Sequence, residues 1–264
     1  MKVPILRYTL TSLILLISLN SLRAQTSGEE FKKEVFIQQG DTLRYRILYP
    51  DNFSVDKKYP VVLFLHGAGE RGTDNEAQLI HGGKLFLEKN KEFPSIVIFP
   101  QAPQSDFWAK VKIDTLGGKR EFRFNYSGEP SRSLGAVIAL MDSITSRNYV
   151  DEKRIYVGGL SMGAMGTFEL LARRPEMFAA AFAICGGADP EVIKSYRENL
   201  DIWIFHGEKD NVVSPELSKM MAREINSAGG NAKLSLYPDA NHNSWDPAFA
   251  EPYLLPWLFS HSRE

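Results

Sequence analysis

Apolar residues in this chain gather into short continuous runs separated by polar segments. Residues 60–65 read Pro-Val-Val-Leu-Phe-Leu, and similar runs occupy 95–99, 155–157, 180–185 and 201–205. Runs of this length, bounded by turn residues, predict strands buried on both faces of a parallel sheet. Between them the period changes. Leu134, Val137, Ile138 and Met141 mark an amphipathic helix, with Ser131 or Ser133 as its cap. Met165, Phe168 and Leu171 mark a second helix, ending before Pro175. Leu217, Met220, Met221 and Ile225 mark a third, with Ser214 as cap, Pro215 in its first turn and a Gly229-Gly230 stop.

The two ends of this pattern differ from its middle. Leu43, Tyr45 and Ile47 alternate with Arg44 and Arg46, and with residues 35–38 they flank Gly40-Asp41. That predicts a half-buried hairpin. Residues 232–237 alternate as a final strand, and 247–259 read as a closing helix. Residues 101–130 have no regular period and read as a long insertion carrying Phe107, Trp108 and Tyr126. Eight candidate strands result. Their order with the helices predicts an α/β fold: a mostly parallel eight-stranded sheet with helices on both faces. Functional residues then belong at the carboxyl ends of the strands.

The first two dozen residues stand apart. Lys2 and Arg7 precede an apolar, Leu/Ile-rich stretch over 9–19, and Leu22-Arg23-Ala24 precedes Gln25. This predicts a signal peptide over 1–24 and a single domain over 25–264, secreted or periplasmic. The stretch falls short of the roughly 18–20 residues of a spanning helix, so no membrane association is expected after cleavage. Lys and Arg total 31 against 32 Asp and Glu, for a net charge of −1. Nothing there draws the chain to nucleic acid. The single cysteine, Cys185, excludes an intrachain disulfide and reads as buried packing.

Chemistry enters at residues 159–163, Gly-Leu-Ser-Met-Gly, between the 155–157 strand and the helix of Met165. A G-x-S-x-G turn between strand and helix is a nucleophile elbow. It lifts Ser161 above the sheet edge and turns the Met162 N–H toward a developing oxyanion. A serine hydroxyl needs a base, and the base needs an acid to hold its tautomer. In this kind of fold the order along the chain is serine, acid, histidine. Asp210 follows the 201–205 strand and His242 follows the last strand, so both occupy loops at the edge that carries Ser161. Glu208 and Asp239 are the alternative acids. His66 and His206, in strand-end His-Gly turns, read as braces; His81 reads as a helix-surface residue and His261 as part of the tail.

The loop after 60–65, His66-Gly67-Ala68-Gly69-Glu70-Arg71-Gly72, also contains G-x-G-x-x-G. A dinucleotide site would need a helix to open within it and an acidic residue ending the next strand. Neither follows, so no cofactor is expected. The loop reads as a donor loop, with the Ala68 N–H as second oxyanion donor. No H-E-x-x-H or Cys-His set points to a metal. Trp108 and Trp245, at the same sheet edge, are candidate substrate-stacking residues.

From about residue 59 to 257 the chain resembles secreted α/β-hydrolase esterases of the feruloyl and acetylxylan esterase type. It is also similar to bacterial proteins described as predicted peptidases or phospholipase/carboxylesterases. The matching pieces are residues 65–72, Pro100-Gln101 with Trp108, 159–163, 206–210, and Asn241-His242 with Trp245. The resemblance implies Ser161 as nucleophile, His242 as base and Asp210 as orienting acid. It also implies Met162 and Ala68 amides as the oxyanion hole. The leading expectation is a serine esterase acting on a small-molecule or polysaccharide ester. Alternatives are a prolyl-oligopeptidase-like serine peptidase and a non-catalytic binding module on the same fold.

Overall fold

The computed structural model describes residues 31–38, 40–117 and 119–264. The expected signal peptide over 1–24 lies outside the described residues. The chain opens with strands β1 (Phe31–Gln38) and β2 (Asp41–Leu48), paired antiparallel across the Gly40 turn. The central strands follow: β3 (Tyr59–Leu65) and β4 (Ile96–Gln101), with the short helix α1 (Gly83–Lys89) between them. A separate hairpin, β5 (Val111–Leu116) and β6 (Lys119–Phe124), lies within the long insertion. Then come α2 (Arg132–Thr145), β7 (Val150–Leu160), α3 (Met162–Arg173), β8 (Ala180–Ile184) and β9 (Asp201–Gly207). The chain closes with α4 (Pro215–Ser227), β10 (Asn231–Tyr237), α5 (Trp245–Phe249) and α6 (Leu254–Ser260).

Eight strands form one sheet in the order β1-β2-β4-β3-β7-β8-β9-β10. β2 pairs antiparallel with both neighbours, and the other pairings are parallel. The continuous apolar runs are explained by burial on both faces. On β3, Val61, Leu63 and Leu65 join a core cluster with Leu134, Val137 and Met141 of α2 and Phe168 of α3. Val62 and Phe64 point the other way, into a cluster with Phe86 of α1 and Leu254, Leu255 and Leu258 of α6. Strict alternation along one strand feeds two cores, and each core needs its own helix layer. This is the α/β-hydrolase fold.

Two expectations need correction. The closing helix over 247–259 is two helices, Trp245–Phe249 and Leu254–Ser260, with Pro252, which has no N–H to donate and disfavours helical geometry at the residue before it, in the break between them. The insertion is not irregular throughout. Val111 to Phe124 forms a two-stranded hairpin turned at Gly117, whose φ is +57°. Val111, Phe122 and Phe124 pack on a small cluster of Ala109, Met165 and Val213, so the hairpin docks beside the start of α3.

Candidate active site

Ser161 stands between β7 and α3 with φ 52° and ψ −115°. This is a strained conformation for a residue with a side chain, costing on the order of 1–3 kcal/mol. The surroundings enforce it. The Ser161 N–H donates to the Ile184 carbonyl at 2.7 Å, tying the elbow to the end of β8. A Cβ on Gly163 would lie 1.9 Å from the Leu65 carbonyl oxygen, so only glycine lets α3 start this close to β3. Met162 is the first residue of α3, and Ala68 opens a 3-10 turn after β3. First-turn amides have no partner within their own helix and are free to point at an anion.

The loops after β9 and β10 bring Asp210 and His242 to this edge. His242 Nε2 lies 3.0 Å from Ser161 Oγ, and His242 Nδ1 lies 2.7 Å from Asp210 Oδ2. Asp210 Oδ1 accepts from the amides of Val212 (2.8 Å) and Val213 (2.9 Å). Burial pushes the Asp210 carboxyl up, but hydrogen bonds from His206, His242 and the Val213 amide outweigh it. The net result holds the carboxyl well below the usual range, so it is an anion. The alternative acids do not reach His242. Glu208 is exposed, and Asp239 pairs with Lys209 at the surface (2.7 Å).

The sequence marked His206 only as a turn brace and gave Asn241 no role, yet both are fixtures of this arrangement. Asn241 Oδ1 accepts from its neighbour's amide, His242 N (2.8 Å), and from Asn211 N (3.1 Å). It thus straps the base's loop to the acid's loop. His206 reaches Asp210 Oδ2 through Nε2 at 3.1 Å. The strand-end His-Gly dipeptide was the available signal, but it does not say which way a ring nitrogen faces.

The remaining candidates separate clearly. Trp108 is fully buried, and its Nε1–H donates to the His66 carbonyl at 3.0 Å. It also packs against Gly166 of α3. It is a packing residue, and the expectation that it stacks on substrate is corrected. Its polar edge is taken by backbone and no ring face is open. Trp245 is partly exposed and meets the His242 ring edge-on, with centroids 5.5 Å apart. His81 is not on a helix surface. It precedes α1 and lies against Trp245 at 4.9 Å, extending the wall beside the base.

Cys185, Asp210 and His242 each offer an atom within 4.8 Å of the others. Burial pushes the thiol's pKa up, and a metal ligand must be a thiolate. With Asp210 and His242 hydrogen-bonded to each other, the trio is ill suited to an ion. A cleft of about 780 Å³, lined by Tyr126, Glu169 and Arg173 among others, lies toward the far end of α3 from Ser161. It takes no part in the Ser161 arrangement.

Residues 123–253 match the dienelactone hydrolase family, a span that includes Ser161, Asp210 and His242. A thermostable esterase of known structure is 34% identical and superposes with a TM-score of 0.78, over 89% of this chain and 64% of that one. The probable acetylxylan esterase A of Neosartorya fischeri is 28% identical over 209 residues, covering 78% of this chain and 50% of that protein. Dipeptidyl-peptidase 5 of Porphyromonas gingivalis is 28% identical over 180 residues, covering 66% of this chain and 24% of that protein. The chain thus spans half or less of these two curated relatives. The family match spans residues 123–253, and the fold is that of the α/β hydrolases.

Proposed function

We propose that a chain of this type acts as a secreted serine hydrolase of carboxylic esters, through an acyl-enzyme on Ser161. The observation that carries this reading is the unbroken hydrogen-bond line from Ser161 Oγ through His242 to Asp210 Oδ2. In the first half-reaction Ser161 Oγ attacks the ester carbonyl and its proton passes to His242 Nε2. Asp210 holds the ring with Nδ1–H toward it and stabilises the imidazolium. The Met162 and Ala68 amides receive the oxyanion. His242 then protonates the departing alcohol, leaving an ester on Ser161. In the second half-reaction water replaces the alcohol, and the same groups return the enzyme and release the acid. No step calls for a cofactor or a metal.

The substrates are short-chain esters, in particular acetyl or hydroxycinnamoyl esters of plant polysaccharide. The similarity to an acetylxylan esterase supports this, and the open Trp245–His81 wall gives a planar acyl group or sugar ring a surface to lie against. A peptidase is the second reading, because a dipeptidyl peptidase is also among the relatives. The values of kcat/KM for methyl ferulate, p-nitrophenyl acetate, p-nitrophenyl palmitate and a peptide anilide decide between the two. The esterase reading expects both short esters to be cleaved much faster than palmitate and anilide. Faster cleavage of the anilide than of either short ester would replace it with the peptidase.

A further inference from the structure

Two imidazoles, not one, converge on the same oxygen of Asp210. His242 Nδ1 approaches Oδ2 at 2.7 Å and His206 Nε2 approaches it at 3.1 Å. His206 ends β9 and is completely buried. Its Nε2 also lies 3.0 Å from the Val213 carbonyl oxygen. A carboxylate oxygen and a carbonyl oxygen are both acceptors, so Nε2 carries a hydrogen whatever the state of Nδ1. On the other side of the ring, Nδ1 lies 2.7 Å from Ser218 Oγ of α4, and that oxygen lies 3.0 Å from the Gly186 carbonyl oxygen beyond β8. The ring is therefore held from three directions and donates into the acid from a fixed position. None of these hydrogen bonds reaches Ser161.

We propose that His206 is a positioning residue that shares the Asp210 carboxylate with His242, orienting it and weakening its hold on the His242 imidazolium. This rests on the reading of Ser161, His242 and Asp210 given above. A carboxylate oxygen that already accepts one N–H has less charge to offer a second. With both Oδ1 contacts made by backbone, His206 is the side chain other than His242 that sets how strongly Oδ2 binds. The other titratable group at the cluster is Cys185, at the end of β8, whose thiol burial keeps neutral; Glu70, from the turn after β3, acts on that thiol in turn. α4 contributes the uncharged Ser218. The consequence is that Asp210 holds the His242 imidazolium less tightly than an unshared carboxylate would.

The test is kcat/KM for p-nitrophenyl acetate against pH in the parent, His206→Leu and His206→Gln. In His206→Leu the acid limb should move to higher pH by about one unit, and kcat at neutral pH should fall about tenfold with KM little changed. In His206→Gln the amide N–H can replace Nε2–H, and the limb should return to within a few tenths of a unit of the parent. A limb that stays put in both variants, or that moves equally in both, would reduce His206 to a structural brace. Should His206→Leu fail to fold, two-bond ¹H–¹⁵N spectra of the parent decide. A proton on His206 Nε2 is expected, and a bare Nε2 overturns the proposal. Ser161→Ala separates the two layers: an active Ser161→Ala enzyme sinks the underlying reading, whereas an inactive one with an unmoved limb in both His206 variants sinks the role of His206 alone.

Discussion

The same dipeptide, His-Gly, follows β3 and closes β9 at the same edge of the sheet, yet the two turns do opposite things. His66 Nε2 accepts from the Ala102 amide at 3.1 Å, and its Nδ1 lies 2.6 Å from the Gly67 carbonyl. That ring is an acceptor at Nε2 and a donor at Nδ1, and both of these contacts are to backbone. His206 is the reverse, a donor at Nε2, and its target is the acid of the candidate site. The same residue at equivalent strand ends is thus a brace in one place and a partner of the proposed acid, Asp210, in the other. The difference comes from what faces each ring, the Ala102 amide after the neighbouring β4 or the Asp210 carboxylate in the loop after β9.

The largest way to break this contrast is Asp210→Asn. The change leaves packing almost unaltered but offers His242 an amide in place of an anion. The wrong tautomer then competes, and turnover should fall by about 10⁴-fold. Steady-state kinetics with p-nitrophenyl acetate measures this, with melting temperature as the control. A near-normal rate in Asp210→Asn, with an inactive Asp239→Asn, would move the acid role to Asp239.

The glycines of the two turns give the next largest difference. A Cβ on Gly207 would lie 2.3 Å from the Asn241 carbonyl oxygen and 2.4 Å from that of Ala240. Relief requires moving the backbone that carries His242. A Cβ on Gly67 would meet the ends of two side chains, Leu160 Cδ1 at 2.6 Å and Glu70 Oε2 at 2.9 Å, which can turn aside. Gly207→Ala should therefore cost about 100-fold in kcat, as expected for a catalytic group displaced by about 1 Å. Gly67→Ala should cost several-fold at most. Equal losses in the two variants would mean that the His242 loop is free to follow.

Much of this was legible in the sequence, and the boundary is physical. Runs such as 60–65 announce a strand because both faces are buried, so no polar residue interrupts them. The order of Ser161, Asp210 and His242 follows from the fold, since all three end or follow strands at one edge. The hairpin at Val111 to Phe124 was missed because its outer face is solvated, and Lys112, Thr115 and Arg123 dilute the apolar signal. Two consecutive glycines at 117 and 118 in the sequence, between two short alternating stretches, were the clue. The fate of Trp108 was not readable: a tryptophan near a site can face substrate or the core, and only the packing of α3 decides. The two His-Gly turns look alike for the same reason, because tautomers are set by neighbours that are distant in sequence.

A smaller effect concerns acid stability. Burial lowers the His66 pKa from 6.5 to about 4. The unfolded chain takes up this proton near pH 6.5, whereas the folded protein resists it until about pH 4. The His66 contribution to stability is therefore fully present above pH 6.5 and is lost as the pH falls through that window, by about 3 kcal/mol at most. Urea unfolding of the parent between pH 7 and pH 4 should show this loss, and His66→Gln should flatten it. An equally steep fall in His66→Gln would assign the acid sensitivity elsewhere.

The smallest expected change separates the two tryptophans. Trp108→Phe removes the hydrogen bond to the His66 carbonyl and leaves a small void, costing about 1–3 kcal/mol of stability. It should leave the ratio of methyl ferulate to p-nitrophenyl acetate kcat/KM unchanged. Trp245→Ala should lower that ratio several-fold, since it strips the wall beside His242. A ratio that moves with Trp108 and not with Trp245 would relocate the acyl-binding surface to the inside of the insertion.

The most direct test of the central claim is to label the nucleophile covalently. The protein is reacted with a fluorophosphonate probe, digested, and mapped by mass spectrometry, in parallel with Ser161→Ala and His242→Ala. One probe mass on the peptide containing Ser161 is the expected result. Labelling should be absent in Ser161→Ala and slowed by orders of magnitude in His242→Ala. Undiminished labelling in Ser161→Ala, or its appearance on another serine such as Ser244 in the parent, would contradict the assignment of Ser161 as the nucleophile.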